Sequence, residues 1–254
     1  MFKPRSEAKA KGAKGYRAYA IGDVHGRLDL LDDLMAQIRR EMAERPTRHV
    51  LLVFLGDLID RGPSSAQVLE QLRTLNIDGV RTAFLLGNHE EVLVRILDGD
   101  TSLIPSWLQF GGAQCLQSYG VDLRRIRRRA EDDVLAIVRS AIPQSHREFL
   151  RRFVDTCRFG DYLFVHAGIR PGVPIEEQLQ TDLRWIREPF LLDDTDHGCI
   201  VVHGHTISEK VEERPNRIGV DTGAYRTGVL TALAIEGDER WYLQTRRPRG
   251  SSGR

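Results

Sequence analysis

The sequence predicts an α/β fold, on three observations. Short apolar runs of strand length alternate with amphipathic helical patterns in the first half. Strand-like runs return in the last third without long helices between them. The chain, at 254 residues, is long enough to bury a sizeable core. Arg17–Ile21 reads as the first strand, and Leu28, Leu31, Leu34, Met35 and Ile38 follow it at helical spacing. Val50–Leu55 is a buried-strand run closed by Gly56. Gly62-Pro63-Ser64 signals the start of a helix reaching about Leu75. Val80–Leu86 reads as the third strand, with a helix expected after it. This β-α-β-α-β order calls for parallel strands. Residues 101–159 read as helical and irregular. Five arginines between Arg124 and Arg129 are expected on the wet face of a helix that turns Leu123, Ile126, Val134, Leu135 and Val138 inward. Tyr162–Val165, Cys199–Val202, Arg217–Val220, Val229–Ile235 and Trp241–Gln244 are strand-like and joined by loops. A mixed sheet or a second packed sheet is therefore expected.

No repeat or Ser/Gly linker divides the chain. One domain is expected over residues 16–245, between basic flexible tails at 1–15 and 246–254. The balance of 29% charged and 41% hydrophobic residues excludes disorder, and the aperiodic sequence excludes a fibre. The longest apolar runs, Val50–Leu55 and Val229–Ile235, fall far short of the ~20 residues of a spanning helix. Residues 1–15 carry no apolar stretch after their positive charges, so no secretory signal is expected. Cysteines 115, 157 and 199 have no metal-type spacing and leave an odd thiol, which points to a reduced, cytoplasmic chain. The net charge of +1 hides a segregation: residues 1–17 and 240–254 are each +5, and the stretch between them is −9. Carboxylates placed to hold cations need no Lys or Arg partner, which accounts for part of that acidity. Short basic ends are ordinarily solvated, so neither nucleic acid nor a membrane is an expected partner.

The informative residues follow the apolar runs. Gly22-Asp23-Val24-His25-Gly26 closes the first, Gly56-Asp57-Leu58-Ile59-Asp60-Arg61-Gly62 the second and Gly87-Asn88-His89-Glu90 the third. His166-Ala167-Gly168 and His203-Gly204-His205-Thr206 close two later ones. In open α/β sheets ligands bind at the carboxyl ends of the strands, so the five sets converge. Alone, a strand-end His is more often structural, and Asp beside Gly is turn chemistry. Five such ends together exceed coincidence. No dinucleotide loop, Walker loop or nucleophile elbow competes with this reading. Asp23 and His25, two residues apart, can grip one cation from an extended loop. Carboxylate, imidazole and amide oxygen suit Mn, Fe or Zn better than Ca. The ligands exceed what one ion needs; two ions ~3.5–4 Å apart, bridged by Asp57, would use them all.

GDVHG, GDLIDRG, GNHE, HAG and GHT, in this order, resemble the calcineurin-like metallophosphoesterases. Within them the chain is similar to the PPP-type serine/threonine phosphatases, particularly the short bacterial and phage branch. The resemblance runs from about Tyr19 to Glu236 and takes in Trp107–Gly112, Trp185–Glu188 and Asp221–Ala224. It implies two packed mixed β-sheets flanked by helices, an αββα sandwich. It implies a first metal on Asp23, His25 and Asp57 and a second on Asp57, Asn88, His166 and His205. Two divalent ions are expected, Mn2+ foremost, with Fe, Zn or Ni also fitting. Ile207 stands where the wider family often has a further His ligand, and His203 is read as structural beside the site. Arg61 and Arg187 match the family's phosphate clamp, a task suited to the guanidinium fork. His89 matches the general acid and Asp60 its orienting partner. Arg170 and Arg226 are further candidates at the cleft mouth.

The implied activity is phosphoester hydrolysis by direct, in-line attack of a water held between the metals, with no phosphoenzyme. The expected substrate is phosphoserine or phosphothreonine in a phosphoprotein, or a phosphorylated small molecule. One alternative is symmetrical cleavage of diadenosine tetraphosphate. The 7% aromatic content counts mildly against the adenine pocket this would need. Another is a non-catalytic phosphate-binding protein, which the intact ligand set and His89 count against.

Overall fold

A computed structural model describes residues 9–245 of the chain. Ten strands among them form two five-stranded sheets. The first sheet holds β1 (Tyr16–Ile21), β2 (His49–Phe54) and β3 (Val80–Phe84), all parallel. The second holds β4 (Thr156–Phe159), β5 (Tyr162–Val165), β6 (Ile200–His203), β7 (Glu212–Glu213) and β8 (Arg217–Gly219). β9 (Thr231–Glu236) and β10 (Glu239–Gln244) return to the first sheet antiparallel, giving the order β10-β9-β1-β2-β3. The second sheet runs β4-β5-β6-β8-β7, parallel at its centre and antiparallel at both edges.

Strand periodicity explains the layering. On β1, Ala18 and Ala20 face the second sheet, while Tyr19 and Ile21 face helices. On β5, Tyr162 and Phe164 face the first sheet, and Leu163 and Val165 face outward. The alanines on one side admit the large rings on the other. Helices α1 (Leu28–Glu44), α2 (Ser65–Arg73) and α3 (Asn88–Asp98) cover the first sheet. α1 buries Leu30, Leu31, Leu34, Met35 and Ile38 in one stripe, each worth about 1.5–3 kcal/mol of apolar burial. Further along are α4 (Ile104–Trp107), α5 (Ala113–Ser118), α6 (Glu131–Ala141) and α7 (Gln144–Leu150). α8 (Gln180–Trp185) packs Leu183 on the outer face of the second sheet, and α9 (Ala224–Thr227) is a single turn before β9. Two packed mixed sheets flanked by helices result.

Three local expectations are corrected. Of the tail expected over 1–15, residues 9–13 are held. The Lys11 N–H donates to Asp161 Oδ2 at 2.7 Å and the Gly12 N–H to the Gly237 carbonyl at 2.7 Å, joining hairpin turns of both sheets. Residues 1–8 and 246–254, the rest of the expected tails, lie outside the described residues. The arginines between 124 and 129 form no helix face. Arg124 and Arg125 lie on a single 3-10 turn and the rest on a turn with Arg128 at φ 63°; Leu123 and Ile126 pack inward as expected, but the α-helix starts only at Glu131, where three acids occupy its first turn. The stretch read as helical ends in a strand, β4, because Phe159 and its neighbours pair with β5.

Candidate active site

Loops from both sheets meet at the carboxyl ends of β1, β2, β3, β5 and β6. Their backbone is unusual. Among the described residues, six non-glycine positions have positive φ, and five of them lie here: His25 (45°), Asp57 (49°), Asp60 (70°), Arg61 (65°) and His205 (62°). Each costs about 1–2 kcal/mol for a residue with a Cβ, so the surrounding fold enforces them.

Hydrogen bonds aim the imidazoles. His25 Nδ1 bonds the Ile59 carbonyl at 2.8 Å and His166 Nδ1 the Leu55 carbonyl at 2.7 Å, which turns both Nε2 atoms toward Asp57. His25 Nε2 lies 3.6 Å from Asp57 Oδ2, and His166 Nε2 lies 3.5 Å from Asp57 Oδ1. The two carboxylate oxygens thus face different imidazoles, the arrangement a bridging ligand requires. Asn88 Oδ1 lies 3.0 Å from His166 Nε2 and 2.9 Å from His205 Nδ1. Two donor groups emerge, Asp57 with His166 and His205, and Asp57 with His25 and His89.

Charge favours cations here. Burial lowers His25 and His205 to about 3 and also lowers His166, so all three rings are neutral and hold lone pairs for a metal. Burial, then Asp221 and Asp57, raises Asp23 well above the carboxylate range, and burial above all raises Asp221 to about 6. These buried acids strain against one another, and bound cations would relieve that. The donor set fits two divalent ions. Asp23 is brought to the cluster, with its oxygens accepting the His205 N–H at 3.1 and 3.2 Å.

His89 joins the first group by position, but Arg61 Nη2 stands 3.1 Å from its Nε2. A guanidinium beside that atom disfavours a metal there. His89 Nδ1 donates to Asp60 Oδ2 at 2.7 Å, so Nε2 faces the cleft. Burial pulls His89 down, but Asp57 and the Asp60 bond outweigh it and carry the ring up to about 9. A cation on Asp57 would take back part of that lift. Nε2 accepts from Arg61 here, and with Nδ1–H held by Asp60 it is the atom left to take up and give back a proton.

The cleft above these groups encloses about 420 Å³. Arg61 and Arg187 flank it with the metal-side residues, and Val92, Leu103, Trp107, Phe110 and Trp185 make its other half apolar. Phe110 and Trp185 are 64% and 43% exposed, uncommon for rings of that size.

Comparison with known proteins identifies the frame. The calcineurin-like phosphoesterase family matches residues 16–228. The chain belongs to that family. This phosphoesterase is 27% identical to serine/threonine-protein phosphatase 1 of Salmonella typhimurium, over 93% of this chain and all of that one. It is 26% identical to a symmetrical bis(5'-nucleosyl)-tetraphosphatase of Janthinobacterium, over 91% of this chain and 96% of that one. A solved structure described as a candidate diadenosine tetraphosphatase superposes with a TM-score of 0.66 at 20% identity, covering 95% of this chain and all of that one. The phosphoesterase is thus a hydrolase of metallophosphoesterase type. Among its described residues no helix is long and apolar enough to cross a membrane.

Neither arginine expected at the mouth lines the cleft. Arg170 is clamped bidentately to Asp182, at 2.7 and 2.6 Å, and does not line the cleft. Arg226 is exposed on α9; its neighbour Tyr225 faces the site instead, with the Arg61 guanidinium over its ring at 4.6 Å. His203 is buried between its own loop and Phe190, consistent with a structural place.

Sequence reasoning assigned no role to Glu90, Trp107 or Gly111. Glu90 accepts the backbone N–H groups of Asp57 (2.8 Å), Leu58 (2.8 Å), Ile59 (3.2 Å) and Gly87 (3.1 Å), tying the loop after β2 to the start of α3. Gly111, at φ 126°, lets its segment touch the same loop: a Cβ there would sit 2.5 Å from the Arg61 nitrogen. The signal lay in GNHE, where only Asn88 and His89 were read chemically, and in Trp107–Gly112, where no residue was.

Proposed function

We propose that this phosphoesterase hydrolyses dinucleoside polyphosphates, cutting diadenosine tetraphosphate with one water into two molecules of ADP. The observation that carries this reading is the composition of the cleft. Its metal side and arginines suit a phosphate chain, and its apolar half, with Phe110 and Trp185 exposed, suits a purine. Average aromatic content concealed this concentration of rings. The near-full-length likeness to a symmetrical tetraphosphatase supports the reading, although the phosphatase relative is equally similar.

When bound, the two ions would supply a nucleophilic water and neutralise phosphate charge. Asp23, His25, Asp57, Asn88, His166 and His205 would hold them. Arg61 and Arg187 would orient the phosphate oxygens, and the rings would exclude water from the base. His89 would hold a proton at Nε2 for the departing oxygen.

A second reading rests on that last feature. A nucleoside diphosphate leaves readily without a proton, whereas a serine or threonine alkoxide needs one. The His89–Asp60 pair therefore favours a phosphoprotein substrate. The deciding experiment compares kcat/KM for diadenosine tetraphosphate, a phosphothreonine peptide and p-nitrophenyl phosphate with Mn2+-loaded protein. We expect the dinucleotide to be preferred by at least about tenfold, with ADP as the only nucleotide product. Preference for the peptide overturns the first reading in favour of the second. Two bound metals without hydrolysis of any substrate would mark a non-catalytic binder.

A further inference from the structure

We propose that Trp107 is a positioning residue for the proton donor, its indole N–H fixing the Asp60 carboxylate and Asp60 in turn fixing the His89 ring. The inference rests on reading His89 as the donor. Trp107 is only 3% exposed, and its Nε1 donates to Asp60 at 3.1 Å (Oδ2) and 3.3 Å (Oδ1). Asp60 is wholly buried, and Oδ2 also accepts from His89 Nδ1 at 2.7 Å. Without the indole the carboxylate keeps His89 and the weak thiol donor of Cys115, too little to stop it rotating about its Cβ–Cγ bond. The indole N–H locks its plane, and through it the tautomer and tilt of the imidazole.

The surrounding sequence serves this placement. A Cβ on Gly112 would lie 2.3 Å from the Trp107 ring, and one on Gly111 would strike the backbone of Arg61, next to Asp60. Both glycines let the segment fold over the indole and bring it against the loop after β2. The Asp60 N–H donates to Ser65 Oγ at 2.9 Å, so the backbone end of the residue is anchored independently of its carboxylate. Trp107 also packs in the helix-side core. Packing alone would be met by any ring and would not require the N–H to point at a charged group.

The test separates these roles with Trp107→Phe and with benzothienylalanine at position 107, which keeps the bicyclic shape and loses only the donor. Metal-loaded variants are assayed on phenyl phosphate, whose leaving group needs a proton, and on p-nitrophenyl phosphate, whose leaving group needs it far less. We expect kcat for phenyl phosphate to fall about tenfold, the fall for p-nitrophenyl phosphate to be at least about threefold smaller, and KM to shift less than about twofold. In a His89→Asn background the same substitution should cost nothing further. In metal-free protein at a pH where the ring is neutral, 15N NMR should show His89 protonated at Nδ1, and a mixture of tautomers in either variant. Equal losses on both esters, multiplied losses in the double variant, or an unchanged tautomer would overturn the proposal. Should Trp107→Phe lose its metals or its fold, the benzothienyl protein decides. If His89→Asn leaves phenyl phosphate turnover intact, the reading of His89 fails by itself, and the tautomer alone decides whether Trp107 holds the ring.

Discussion

The two halves of the cleft are built on opposite principles. The metal-side floor is buried, held in left-handed backbone at five residues and aimed by hydrogen bonds to backbone carbonyls after β2. The apolar wall is carried by a kinked segment and a short helix. Its outermost rings stand largely in solvent, and Trp185 is held by one bond to Glu91 at 2.9 Å. The floor holds strain because reaction geometry tolerates little error. The wall holds almost none, because a flat apolar ligand needs surface more than precision. Trp107 joins the halves through Asp60; beyond it chemistry and selectivity are separable, and substitutions should divide them.

The largest effect should come from the floor. Asp57→Asn removes the one carboxylate facing both donor groups, and we expect activity to fall by at least about 10³-fold with fewer than two ions bound by elemental analysis. Two retained ions with near-normal turnover would dissolve the distinction. Gly111→Ala tests the joint between the halves. With its Cβ 2.5 Å from the Arg61 nitrogen and φ at 126°, it should cost about 2–3 kcal/mol in denaturant unfolding and lower turnover with it. Phe110→Ala and Trp185→Ala act on the wall alone. Each should raise KM for diadenosine tetraphosphate about tenfold, several times more than for p-nitrophenyl phosphate, with stability within about 0.5 kcal/mol. A fall in kcat instead would mean that the wall takes part in the chemistry.

The smallest effect lies outside both halves. Bonds from Arg73 and then from His146 lower Glu70 to about 2. The lowered value means the charge stabilises the fold at pH 4.5 and above, and that contribution is lost as pH falls through about 2. Glu70→Gln should therefore be slightly less stable near neutrality, with the gap to wild type closing across that window in acid unfolding. Cleft activity should not move.

The floor was legible because its candidate ligands sit in short blocks at strand ends, where a few residues name both the turn and the chemistry. The layers were legible because short apolar runs such as Arg17–Ile21 and Val50–Leu55 have strand length and are closed by glycine. What stayed hidden depended on distant partners. Arg170 looks free in sequence and is claimed by Asp182 only after folding. Phe110 and Trp185 come from separate segments, and composition counts rings without locating them. β7 is too short to carry a period, and it exists because β8 offers it an edge. Residues 9–13 read as tail because their anchors, Asp161 and Gly237, lie in hairpin turns far along the chain.

Glu90 has a mechanical consequence. Its carboxylate ties the loops after β2 and β3 together, so Asp57 and Asn88 move as one rigid body. His166 and His205 arrive from the opposing sheet. The spacing between these ligand pairs is then a gauge of how well the two sheets register across their shared core. On the proposed reading, widening that core at Ala18 or Ala20 would loosen any ion held between the sheets before it unfolded the chain, and affinity for that ion would sense sandwich integrity.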